Sequence, residues 1–149
     1  MASGDPQAIL LDTNVFVAAV RHPTRETATF RFLVSLLERD DLRVVANDVL
    51  AEEYVRYARA FPSPTASALV SALLARSEIV RVEDRFLLAC APFLGSADVS
   101  DRVHAATCLQ TGAVLVSNDR DFEAVRKAGL VDVRTVTEAL RRWPPHEGR

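Results

Sequence analysis

Short aliphatic runs that alternate with helix-length segments constrain this chain more than any other feature. "AILL" (8–11), "RVVA" (43–46), "EIVRV" (78–82), "AVLVS" (113–117) and "VDVRTV" (131–136) are short, rich in β-branched residues and bounded by polar ones, so they read as five strands. Between them "VFVAAV", "TATFRFLVSLLERD", "VLAEEYVRYARAF", "TASALVSALLAR", "RFLLACAPFL", "SDRVHAATCLQTG" and "FEAVRKAGL" read as helices, and "TEALRRW" as a last helix. Pro64 suits a first helical turn, while Gly112 and Gly129 suit helix ends. Strands joined by helical crossovers run parallel, and a parallel sheet must be covered on both faces. The expected fold is therefore of the α/β class, a three-layer α/β/α sandwich with a central parallel sheet of about five strands.

With 149 residues, 49% of them apolar, the chain can bury a real core. One domain over residues 1–143 is expected, with residues 144–149 as a flexible tail. No uncharged apolar stretch reaches the roughly 18 residues needed to span a bilayer. The opening "MASGDPQA" lacks the basic and apolar regions of a signal peptide, so a cytoplasmic protein is expected. Cys90 and Cys108 lie in apolar surroundings without metal-ligand spacing and read as buried reduced thiols. The net charge of -2 and pI near 5.9 do not advertise a nucleic-acid partner. Acids gathered around a cation nevertheless lower net charge while arginines elsewhere can grip phosphate.

Ligands of parallel α/β sheets bind beyond the carboxyl ends of the strands. "AILLD" puts Asp12 at such an end, and "AVLVSNDRD" puts Asp119 and Asp121 just beyond another. Each could also serve simply as a helix cap or first-turn acid. In "VLAEEYVRYARAF" the residues Leu50, Glu53, Tyr54 and Tyr57 share one face, which turns Glu53 inward and Glu52 more nearly outward. An inward Glu53 needs a cation or a partner such as Arg56. In "GSADVSDRVHAATC" Asp98 competes with Asp101, the first as cap and the second in the first turn. Four to five acids on one sheet edge, with no His or Cys ligand among them, suit a hard cation, Mg²⁺ or Mn²⁺. The chemistry natural to such a site is phosphodiester hydrolysis.

Taken in order, "ILLDTNVFVAA", "DVLAEEYVRYA", "SDRVHAATCLQTGAVLVSNDRDF" and "GLVDVRTVTEAL" resemble the successive motifs of PIN-domain nucleases, especially the VapC-type ribonuclease toxins of toxin–antitoxin pairs. The resemblance runs from about Ile9 to Leu140. It implies a catalytic quartet of Asp12, Glu53, Asp101 and Asp119, and a metal bound by Asp12, Asp101 and Asp119 with Asp121 as auxiliary ligand or water-holder. It further implies that Asn14 and Ser117 orient the acids; on local grounds alone they read as a helix cap and a strand-end hydroxyl. A metal-dependent endoribonuclease acting on RNA follows, neutralised by a small antitoxin and forming a homodimer.

The resemblance assigns the segment from Phe61 to Leu94 to dimer and antitoxin contacts, although Leu69, Leu73 and Leu74 keep the spacing of ordinary core. Arg21, Arg25, Arg56, Arg102 and Arg120 are candidates to hold RNA phosphates. His104 reads as a satisfied packing histidine rather than a base or ligand, and Trp143 as a packing anchor or a base-stacking residue. Competing functions are a housekeeping PIN nuclease in RNA processing, an RNA-binding or partner-binding domain without activity, and an aspartate-dependent phosphotransferase or phosphatase. The last needs a lysine beside its nucleophilic Asp. The only lysine, Lys127, follows the late acidic pair near the end of a helix.

Overall fold

The computed structural model describes residues 5–21, 27–61, 63–95 and 98–145. Five parallel strands form one sheet in the order β3-β2-β1-β4-β5. They are β1 (Gln7–Leu11), β2 (Leu42–Ala46), β3 (Glu78–Ile79), β4 (Val114–Val116) and β5 (Val133–Arg134). Eight α-helices lie among the described residues: α1 (Thr13–Val20), α2 (Ala28–Leu36), α3 (Asp48–Ala60), α4 (Pro64–Arg76), α5 (Asp84–Cys90), α6 (Val99–Thr111), α7 (Glu123–Lys127) and α8 (Val136–Arg142). The three-layer α/β arrangement is the one expected from the sequence.

Central β1 is aliphatic because neighbours cover it on both edges and both faces. Residues 8–11 are all buried, and Ile9 pairs with Val44 of β2 and with Val114 of β4. The chain steps outward from β1 to β2 and β3, then returns past β1 to β4 and continues to β5. Parallel crossovers are right-handed, so this reversal sends helices to opposite faces and opens a crevice between the carboxyl ends of β1 and β4. The helices pack as α1 against α2 and α3, α3 against α4, and α5 against α6, and α3 also meets α6.

Several elements are shorter than the hydrophobic pattern predicts, and for the strands the reason is visible. The edge strand β3 stops at Ile79, after which Val80 N–H still donates to the Ala46 carbonyl. Gln110 of α6 then takes over the backbone, accepting from Glu83 N–H and donating to the Arg81 carbonyl. β5 ends at Arg134 because Thr135 and Glu138 form a reciprocal capping box that starts α8 at Val136. α2 stops at Leu36, short of Asp40. The stretch expected to be one helix from Phe122 splits into a 3₁₀ turn (Arg120–Phe122) and α7.

At the other end of the scale, α6 ends where the sequence predicts. Gly112 follows it at φ 76°, a left-handed position that glycine adopts without strain. Of the tail expected from Pro144 onward, residues 146–149 lie outside the described residues. None of the described helices is long and apolar enough to cross a membrane. Cys90 and Cys108 are both buried free thiols, and burial pushes both of their pKa values up.

Candidate active site

β1 delivers Asp12 directly into the crevice, where it caps α1. One carboxylate oxygen accepts from Thr13 N–H (2.8 Å) and the other from the Ser117 hydroxyl (2.7 Å). The cap starts α1 two residues before the apolar run suggests, which places Asn14 inside the first turn and exposed rather than at the cap. Among the described residues Asn14 makes no side-chain hydrogen bond. Asp12 is only 7% exposed. Burial pushes its pKa up, against the lowering effect of Ser117 and of Thr13 N–H.

Ser117 joins the two strand ends. It follows β4, is buried, and while donating to Asp12 it accepts from Asp119 N–H (3.0 Å). Asp119 in turn caps the 3₁₀ turn by accepting from Asp121 N–H (2.9 Å). The intervening Asn118 turns elsewhere, accepting from Val136 N–H at the start of α8. The polar run "SNDRD" is thus divided between the crevice and the packing of the last helix.

Asp101, Asp119 and Asp121 each offer a carboxylate oxygen, and the three lie within 4.8 Å of one another. Two of the three are half-buried and Asp121 is exposed. Burial, followed by repulsion from the Asp12 and Asp119 carboxylates, raises Asp101 to about 6. Three oxygen donors whose charges oppose one another fit a hard divalent cation, which would remove the repulsion. Asp12 is not one of the three, but its electrostatic effect on Asp101 marks it as a neighbour. Asp98 is exposed at the N-cap position of α6 without a side-chain capping bond. Of the two competing acids, Asp101 is the one in the cluster.

Glu53 faces the crevice side of α3, while Glu52 is exposed. Its Oε1 accepts from the Thr13 hydroxyl (3.1 Å) and lies 2.7 Å from His104 Nε2. Burial alone would raise this carboxyl, but the hydrogen bonds from His104 and Thr13 hold it below the usual value. Next to it, the buried Tyr54 hydroxyl donates to the carbonyl of Leu11, tying α3 to the end of β1. Burial pushes the Tyr54 phenol up, so it stays a donor.

His104 is packed and satisfied, as the sequence predicts, yet one of its partners is Glu53. Its other ring nitrogen lies 3.1 Å from the amide nitrogen of Asn47, which also donates to the Thr107 hydroxyl (3.0 Å). Asn47, Thr107, Thr13 and Tyr54 do not stand out in the sequence as site residues. For Asn47 a signal existed: it directly follows β2, at the same carboxyl edge as Asp12 and Ser117, and it caps α3.

The arginines distribute unevenly. Arg120, in the 3₁₀ turn, and Lys127 line a cleft with Phe93, Leu94 and Asp121. The cleft measures about 410 Å³. Arg56 is exposed on α3, close enough to lower Glu53 electrostatically. Arg102 is partly buried and donates to the Leu94 carbonyl (3.4 Å), and Arg21 is exposed after α1. Arg25 lies outside the described residues. Trp143 is a packing anchor, buried with the Arg142 guanidinium 4.9 Å over its ring. In the 61–94 segment Leu69 and Leu73 are core, whereas Phe61 (59%) and Leu88 (73%) are exposed.

The family model of the PIN domain matches residues 9–128. No curated protein sequence gives a significant match. Among solved structures the chain is similar to one in the crystal structure of VapBC2 from Rickettsia felis bound to a DNA fragment from their promoter. That alignment has 15% identity and a TM-score of 0.63, covering 87% of this chain and 98% of the other. PAE2754 from Pyrobaculum aerophilum is similar at 16% identity and a TM-score of 0.56, over 95% of this chain and 97% of the other. At such identities the likeness is one of fold.

Proposed function

The chain belongs to the PIN-domain family, and from that premise we propose that it is a divalent-metal-dependent endoribonuclease, the toxin of a toxin–antitoxin pair. The observation that carries the reading is the Asp101, Asp119 and Asp121 cluster linked through Ser117 to Asp12 at the crevice where the sheet reverses direction. Asp101, Asp119 and Asp121 would hold Mg²⁺ or Mn²⁺. Asp12, whose oxygens each keep a lone pair beside the bonds from Thr13 and Ser117, would complete the set. Such a cation, when bound, polarises a phosphodiester and lowers the pKa of a water.

The remaining work falls to the chain's own groups. Ser117 aims Asp12 and favours its ionised form by donating to it. Glu53 is held as a carboxylate with both contacts on Oε1, which leaves Oε2 to orient the attacking water and take its proton. Arg120 and Lys127, in the cleft beside Asp121, would bind RNA phosphates flanking the cut. Arg56, Arg21 and Arg102 are weaker candidates, the last because its guanidinium already serves the Leu94 carbonyl.

The likeness of fold to VapBC2 supports the toxin reading over a housekeeping nuclease, as an analogy at the level of the fold. In this reading a small antitoxin covers the cleft, and the enzyme is a cytoplasmic homodimer. A phosphotransferase finds no support, because Lys127 sits at the end of α7 beside Asp121 rather than among the contacts of Asp12. The test is cleavage of structured RNA by the purified chain with Mg²⁺ or Mn²⁺. Cleavage should vanish with EDTA and in Asp12→Asn; cleavage that persists in Asp12→Asn removes the site assignment. An antitoxin-sized reading frame beside the gene separates toxin from housekeeping enzyme.

A further inference from the structure

Hydrogen-bond accounting fixes the ring of His104. Asn47 caps α3 by accepting from Leu50 N–H through Oδ1 (2.8 Å), so its amide nitrogen is the atom that faces His104 Nδ1 and Thr107. Thr107 spends its own proton on the Val103 carbonyl (2.7 Å) and therefore accepts from Asn47. With an N–H of Asn47 pointing at it, Nδ1 must accept, and the ring proton belongs on Nε2, 2.7 Å from Glu53 Oε1. Turning the Asn47 amide over would break the cap of the helix that carries Glu53.

The ring also links the two helices that bring acids to the crevice. His104 stands on α6 one turn after Asp101, and Glu53 stands on α3 one and a half turns after Asn47. A ring only 1% exposed, bonded at both nitrogens, sets the distance between Glu53 and the Asp101 helix. Both nitrogens of a buried ring need partners; here they are the carboxylate of Glu53 and the amide that caps the helix carrying it.

We propose that His104 is a positioning residue: locked by Asn47 in the Nε2–H tautomer, it pins Glu53 Oε1 so that Oε2 is presented to the attacking water. This rests on the nuclease reading above. Asn47, Thr107 and Thr13 serve the same arrangement, the first two by orienting the ring and the third by a second bond to Oε1.

Two measurements on the full chain test it. Ring nitrogen NMR shifts should show His104 as the Nε2–H tautomer in the wild type. An Nδ1–H tautomer in the wild type overturns the proposal, whether or not the protein cuts RNA. In steady-state RNA cleavage with Mn²⁺, His104→Leu should lower kcat about 100-fold with KM changed less than about threefold. His104→Gln, which restores an N–H donor, should recover at least about tenfold of that loss. Unchanged kcat in folded His104→Leu, or no recovery in folded His104→Gln, overturns it. If His104→Leu does not fold, the tautomer and His104→Gln decide. If the wild type cuts no RNA with any metal, the nuclease reading fails and takes the water-orienting role with it, while the tautomer still decides whether the ring is locked.

Discussion

Replacing Ser117 by alanine removes one hydroxyl that two acids share. In the wild type it donates to the buried carboxylate of Asp12 at 2.7 Å and accepts from Asp119 N–H at 3.0 Å. A hydrogen bond to a charged group contributes about 1.5–3 kcal/mol, and the half-buried Asp119 N–H adds up to about 1 kcal/mol when left without a partner. Partial rehydration offsets some of this, so a loss of about 2–3 kcal/mol is expected at pH 7.5. For a domain of this size that is a fall in Tm of about 5–10 °C.

The loss should also depend on pH in a definite direction. Burial already raises folded Asp12 above its ordinary 3.8, and Ser117 works against that rise. Without the hydroxyl the folded-state value climbs further. The deficit is then complete above both folded-state values and shrinks as pH falls through them, because a protonated Asp12 no longer needs a donor. Urea denaturation of wild type and Ser117→Ala at about pH 7.5 and about pH 4.5, in EDTA, measures both quantities. A deficit under about 0.5 kcal/mol at the higher pH, or an equal deficit at both, refutes the reasoning. Asn14→Ala, on the exposed side of the first turn, is the control and should stay within about 0.5 kcal/mol.

Asp101, raised to about 6 from 3.8, costs the metal-free fold stability as pH rises from about 4 through 6. Because the group is partly exposed the cost is held to about 1–2 kcal/mol. Titration of wild type against Asp101→Asn should show it, and the Tm gain from Mn²⁺ should grow over the same interval. Asp119→Asn keeps the cap of the 3₁₀ turn but removes a charge from the trio. Differential scanning fluorimetry should find the metal-free variant equal to or up to about 1 kcal/mol above the wild type, with the metal-induced shift lost. Glu53→Gln should lower the RNA cleavage rate by about 10²-fold or more, whereas the exposed Glu52→Gln should leave it within about twofold, as gel-based rates will show.

The parts of the fold and site that follow one-dimensional rules were legible in the sequence. An aliphatic run closed by an acid marks a strand's carboxyl end, which is how Asp12 and Asp119 declare themselves. Helical spacing separates Glu53 from Glu52. The parts that depend on distant partners were hidden. Asp12 is bound by a hydroxyl 105 positions away, and His104 meets Glu53 across a separation of 51. No local pattern encodes either pair. The short β5 is a different case: Thr135 and Glu138 have the spacing of a capping box, and it ends the strand inside the apolar alternation of "VDVRTV". β3 was cut short by a side chain of α6, Gln110, which nothing within "EIVRV" announces.

The central claim is that carboxylates from separate elements act on RNA together through one divalent cation. Single-turnover cleavage of a structured RNA, followed across a Mn²⁺ titration in wild type and in Asp101→Asn, tests it most directly. The account predicts a rate that saturates with metal, disappears in EDTA and falls at least about 10²-fold in the variant at every metal concentration. A wild-type rate indifferent to EDTA, or an Asp101→Asn rate equal to the wild type, would contradict it.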